Sequence, residues 1–268
     1  MALKEEFLAL SSGVYLASCA VGYLDEHASI AFEDFKEEII DSIVRPKKRT
    51  ALHVYLDSFG SMADHLRDAK EGDLEKDFKL VTELLKEVNL EAELPELNLD
   101  SCAEDCQHDG CECDKILDQY FDYVYEHSSV IDARIVQAAF QILFQDRQFL
   151  RKFHLELARF IEKNMDAIRE RHSDHVTQRG YIKRRPFPVW LKTAVFHRDK
   201  GTCTFCRRDL THLVRPQNIK HIDHIVPLAL YGSNDASNFQ LLCETCNTSK
   251  GARSTKTSAV NVPFWNLD

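Results

Sequence analysis

The chain has 268 residues, room for one large or two ordinary domains, with 44% apolar and 29% charged residues. That balance excludes disordered and fibrous classes and fits a globular chain. Its net charge of −9 hides an asymmetry: residues 179–268 carry 14 Lys/Arg against 6 Asp/Glu, a net +8, while residues 1–178 carry 20 against 37, a net −17. An acidic front joined to a basic tail predicts two jobs, with the tail suited to a polyanion such as nucleic acid.

The first stretch, FLALSSGVYLASCAVGYL (7–24), is largely apolar, and LASC (16–19) resembles a bacterial lipoprotein cleavage box. Against export, MALKEEF puts two acids and one lysine where a signal peptide wants positive charge. Ser11, Ser12, Gly13 and Ser18 also weaken it as a membrane span, so it reads as a buried amphipathic helix with no membrane role. From there to about residue 172 the apolar spacing is helical. FEDFKEEIIDSIV (32–44) sets Phe32, Phe35, Ile39, Ile40 and Ile43 on one face. The runs 52–66, 74–88, 116–130, 133–144 and 147–172 repeat the pattern. Such stripes form cores or subunit contacts. The chain shows no internal repeat, low-complexity tract or Gly-rich phosphate loop.

Two stretches break the helical pattern. LNLDSCAEDCQHDGCECDK (97–115) is acidic and aperiodic, and holds Cys102, Cys106, Cys111 and Cys113 with His108. It reads either as a second metal site or as an acidic loop with redox-sensitive thiols. TQRGYIKRRPFP (177–188) is basic, with Gly180 and two prolines, and reads as an interdomain linker. The expected organisation is therefore an acidic α-helical domain over 1–176, a linker over 177–188 and a small domain over 189–268. PVWLKTAVFHRD (188–199) opens that domain as a helix starting at its proline.

Cys203, Cys206, Cys243 and Cys246 form two CxxC knuckles, the arrangement that four-sulfur zinc coordination needs. Paired thiols at ligand spacing suit a metal in a reducing compartment, which places the protein in the cytoplasm. Between the knuckles lies HIDHIVP (221–227), read as a strand ended by Pro227, with Asp223 and His224 on opposite faces. LALYGSNDASN (228–238) reads as a loop, FQLLC (239–243) as the returning strand, and ETCNTSKG (244–251) as a short helix closed by Gly251.

The joint pattern C-x2-C…I-D-H-I-V-P-L…G-S-N-D-x-S-N-x-Q-L-L-C-x-x-C-N-x-x-K-G, with the lead-in WLKTAVFHRDKGTCTFC, resembles the HNH nuclease family. The resemblance covers about residues 186–253 and implies a ββα-metal (His-Me finger) fold, so the whole chain is expected to be mainly α with that small module at its end. It implies His224 as general base, Asp223 and Asn247 as ligands of a catalytic Mg²⁺ or Mn²⁺, and Asn238 as a loop pin that orients His224. Many members carry His where this chain has Asn247, which makes it an HNN variant. His221 has no position in the motif and reads as strand filler before phosphate contact. The basic set Lys183, Arg184, Arg185, Lys192, Arg207, Arg208, Lys250 and Arg253 is expected on a phosphate backbone.

The resulting expectation is a zinc-pinned, metal-dependent endonuclease acting on nucleic acid, DNA first. The helical domain would serve oligomerisation, protein partners or restraint of the nuclease, and analogy places such fusions in bacterial antiphage defence. The rival is a nucleic-acid-binding or scaffold protein with an inactive HNH-like zinc module.

Overall fold

The structure, a computed structural model, describes residues 9–68, 73–98, 110–211 and 219–258. It is mainly helical, with one two-stranded sheet near the C-terminus. The chain divides into two compact units, Met1–Ser18 with Leu56–Phe140, and Cys19–Tyr55 with Gln141–Asp268. No helix among the described residues is long and apolar enough to cross a membrane.

Helix α1 (Leu10–Gly22) forms where the apolar run begins, but its packing differs from the expectation of a buried first helix. Leu10, Val14, Tyr15 and Val21 are exposed, while Ala17 and Ala20 are buried. The reason is close approach: a Cβ on Gly13 would lie 2.5 Å from the Cβ of Ala138, so small residues make the contact and large ones are turned away.

The first unit centres on α5 (Met62–Asp68), α6 (Leu74–Glu87), α7 (Glu112–Glu126) and the front of α8 (Ser128–Gln145). Asp73 caps α6 by accepting a hydrogen bond from Lys76 N. Val81, Leu84, Leu85, Val88, Tyr120, Val124, Ile131 and Ile135 form its core, and the rings of Phe78 and Tyr120 meet edge-on at 4.9 Å.

The second unit contains α2 (Leu24–Asp34), α3 (Lys36–Ile43), α4 (Ala51–Asp57), α9 (Arg147–Lys163), α10 (Met165–Arg171) and the whole C-terminal module. The expected single helices over 32–44 and 147–172 are each broken once, at Phe35 and at Asn164. Neither break carries Gly or Pro, so apolar periodicity runs straight through both. Phe32 from α2 packs edge-on against Phe153 and Phe160 from α9. Helix α3 ends at Ile43, three residues before Pro46, which cannot continue it.

The two compact units do not follow the expected boundaries of 176 and 189. Residues 176–183 form a hydrogen-bonded turn rather than a loose connector: Val176 bridges Ile182, Thr177 N donates to Tyr181 O at 2.8 Å, and Lys183 N donates to His175 O at 2.8 Å. Gly180 supplies the positive φ (+78°) at the bend. Val176 and Ile182 are buried, so this segment carries core rather than slack.

In the module, α11 (Val189–Arg198) starts after Pro188. Strands β1 (Lys220–His224) and β2 (Phe239–Cys243) pair antiparallel, and α12 (Glu244–Lys250) follows directly on β2. Leu191, Val195, Leu210, Phe239, Leu241 and Leu242 make the module's core. Asp199, at the end of α11, is fully buried between two guanidinium groups. Arg147 Nη1 of α9 lies 3.0 Å from its Oδ1, and Arg198 Nε lies 2.9 Å from the same oxygen.

Candidate active site and cysteine cluster

The first knuckle is a tight turn in which Arg207 N donates to Cys203 O and Cys203 N donates to Arg208 O, both at 2.9 Å. Arg207 takes a positive φ of 60° to close it. Cys243 ends β2, and Cys246 sits in the first turn of α12. The four sulfurs lie within 4.8 Å of one another, and Cys206 Sγ is 3.7 Å from Cys243 Sγ. A tetrahedron with metal–sulfur bonds of about 2.3 Å has edges of about 3.8 Å, so the donor set fits a structural metal such as zinc.

The register sets Asp223 opposite Gln240 and His224 opposite Phe239. Alternation puts the carboxylate and the imidazole on opposite faces of β1. Lys250 Nζ, reaching back from the end of α12, lies 2.9 Å from Asp223 Oδ2 and donates to His224 O at 2.8 Å. Gln240 Nε2 donates to the same Oδ2 at 3.4 Å. The basic residue expected on a phosphate is therefore fully buried and fixes both motif residues instead: the Lys250 side chain is 0% exposed. Asn247 lies one helical turn before Lys250 on α12.

The His224 ring is 3% exposed. It packs against Phe187 and Phe239 at centroid distances of 5.9 and 4.6 Å, and its Nε2 is 3.4 Å from Asn234 Oδ1. Burial, reinforced by the positive charges of Arg184 and Lys250, pushes its pKa down to about 3 against the opposing pull of Asn234. The ring is therefore neutral at neutral pH, with a nitrogen lone pair to offer, while the same burial weakens it as a base.

Asn238 is fully buried and holds the loop between the strands closed. Its Oδ1 accepts from Val226 N at 2.9 Å, while its Nδ2 donates to Val226 O at 3.0 Å and to Ser233 O at 2.9 Å. Gly232 sits inside this clamp; a Cβ there would lie 1.9 Å from Val226 O, so only glycine fits.

The loop is seated on helices far away in sequence. Asp235 Oδ2 accepts from Ala51 N at 2.6 Å, Ser237 Oγ donates to Asp235 Oδ1 at 2.5 Å, and His154 Nε2 of α9 lies 2.9 Å from Ser237 Oγ. Asn234, Asp235 and Ser237 were legible only as turn residues, and nothing local to GSNDASN announces their partners.

Of the remaining basic residues, Arg184, Arg208, Arg253 and Lys192 are exposed. Arg185 donates to Asp174 O at 3.0 Å and Lys183 to the same carbonyl at 3.1 Å. Arg207 donates to Ser258 Oγ at 2.6 Å. His221 shares the strand face of Asp223, and its buried Nε2 has no hydrogen-bond partner among the described residues.

In the other cysteine cluster, Cys102, Cys106 and His108 lie outside the described residues. Cys111 Sγ accepts from Asp114 N at the start of α7, and the thiol of Cys113 donates to Asn98 O at 3.3 Å.

Residues 203–253 match the family model described as HNH endonuclease. No curated protein and no solved structure matches the chain.

Proposed function

We propose that this chain, whose residues 203–253 are an HNH endonuclease domain, hydrolyses phosphodiester bonds in nucleic acid, with DNA as the first substrate. One observation carries the reading: a buried imidazole stands next to a carboxylate on a strand whose return loop is clamped by Asn238. His224 takes the proton from the attacking water as oxygen closes on phosphorus and the P–O3′ bond breaks. The leaving 3′ oxygen takes a proton from solvent and departs as a hydroxyl, and the imidazolium returns its proton to solvent. Asn238 keeps the loop from carrying His224 out of line.

The donors available to a divalent ion are the Asp223 carboxylate and the Asn247 amide oxygen. Among the described residues the Lys250 and Gln240 contacts to Asp223 fall on Oδ2, and Oδ1 is the oxygen we assign to a metal. An all-oxygen pair suits a hard ion such as Mg²⁺ or Mn²⁺, which would supply charge stabilisation at the phosphate and the leaving oxygen. Exposed Arg184, Arg208 and Arg253 contact phosphates, which gives affinity that falls steeply with salt. The rival reading, a binding module with an inactive site, is favoured by one observation: Lys250 already neutralises Asp223.

The experiment incubates the purified chain with supercoiled plasmid, single-stranded DNA and RNA, with Mg²⁺, with Mn²⁺ and with chelator. Metal-dependent nicking is expected, with linear product appearing later because one site cuts one strand. No cleavage of any substrate with either ion would sink the enzyme reading and leave the binding module.

We also assign zinc to the four cysteines. Metal analysis should give one zinc per chain, and Cys206→Ser or exhaustive chelation should unfold the module, because binding free energy at such sites is folding free energy. A metal-free protein with an unchanged thermal transition would remove the zinc from this account.

A further inference from the structure

We propose that Asn234 is a positioning residue for His224: it fixes which ring nitrogen carries the hydrogen, and it ties that choice to the carboxyl end of α3. The catalytic consequence rests on the endonuclease reading above; the hydrogen-bond geometry does not.

Asn234 is 0% exposed. Its side chain offers two N–H donors and one oxygen. Nδ2 donates to Lys183 O at 2.8 Å and to Val44 O at 3.1 Å, which uses both donors. Turning the amide over would aim Oδ1 at two carbonyl oxygens, so its orientation is set by its neighbours rather than by choice. Oδ1 then faces His224 Nε2 at 3.4 Å, a long contact that is attractive only if Nε2 bears a hydrogen. That condition is the same for the neutral and the charged ring. In the neutral ring Nδ1 is therefore the nitrogen without a hydrogen.

The anchor of this arrangement is a helix end. The last carbonyls of a helix have no donors of their own. Asn234 N donates to Ile43 O at 2.8 Å, and Asn234 Nδ2 reaches Val44 O, which His175 Nδ1 also approaches at 3.3 Å. One residue of the loop thus satisfies the end of α3 and holds the imidazole. The ring cannot tumble to a different partner without displacing Phe187 and Phe239. A shift of α3 by about an ångström would be passed to the base, and displacements of that size cost about a hundredfold in rate.

The test reads the His224 ring nitrogens by long-range ¹H–¹⁵N NMR on the full-length chain, assigned by the signal lost in His224→Ala. The wild type is expected to show hydrogen on Nε2. Asn234→Ala is expected to move His224 toward a mixture of the two tautomers. Plasmid nicking by that variant should lose kcat about tenfold or more, up to the ~10²–10⁴ that a positioned base contributes, with KM little changed. Hydrogen on Nδ1 in the wild type would overturn the proposal, and this measurement needs no variant to fold. An unchanged tautomer and kcat in folded Asn234→Ala would overturn it too. A wild type that cuts nothing but carries hydrogen on Nε2 would overturn the nuclease reading while supporting the hydrogen bond.

Discussion

Asp199→Ala is expected to lower the stability of the second unit by about 3–5 kcal/mol, the range for removing one partner of a buried ion pair. Asp199 is enclosed, and both of its oxygens are in use. Oδ1 meets Arg147 Nη1 at 3.0 Å and Arg198 Nε at 2.9 Å. Oδ2 accepts from Arg198 Nη2 at 3.0 Å and from Leu241 N of β2 at 2.7 Å. Arg147 also donates to Ser258 O, and the Arg198 guanidinium lies 4.7 Å over the Phe144 ring. Burial already pushes the Arg147 pKa down, with Asp199 the main opposing influence. Without the carboxylate, two guanidinium groups would remain in the interior facing each other, and a strand amide would lose its acceptor. Urea unfolding followed by circular dichroism checks this; a midpoint unchanged from wild type would contradict it. Asp199→Asn separates the two losses, because it can keep the Leu241 bond while removing the charge. The same contacts argue that a fragment of residues 179–268 is not a self-sufficient fold, since Arg147, Ala51, Ile43 and His154 all lie outside it.

The parts of this protein that were legible in its sequence are those whose partners lie close by. The two CxxC pairs, the Asp223–His224 step, the loop and the short closing helix lie within some fifty residues, and their spacing carries the geometry. The seating of that module was not legible. Asn234 and Asp235 read as turn formers, and they do form a turn, but their side chains are committed to residues 44 and 51. No periodicity reports such a pairing. Lys250 departs from the sequence expectation for a different reason. Lysines are rarely buried without a partner, and the basic local charge drew it to the surface, whereas its partner is a residue of the motif itself. The linker at 177–188 was inferred from glycine, proline and charge. Those residues instead make a turn whose flanks, Val176 and Ile182, enter the core.

His224→Ala is expected to abolish cleavage to within the background of the remaining site, a loss of about 10²–10⁴ in rate. Nucleic-acid affinity should hold within a few-fold, because the exposed arginines proposed to meet phosphate are untouched. The variant leaves a cavity between Phe187 and Phe239, so its folded state is first verified by the same urea transition. The most direct measurement is then the single-turnover nicking rate of supercoiled plasmid at saturating protein with Mg²⁺, wild type beside His224→Ala. Bound but uncut plasmid in the variant, against metal-dependent nicking by the wild type, is the expected result. A variant that binds and nicks within about threefold of wild type would contradict the assignment of His224 as the base.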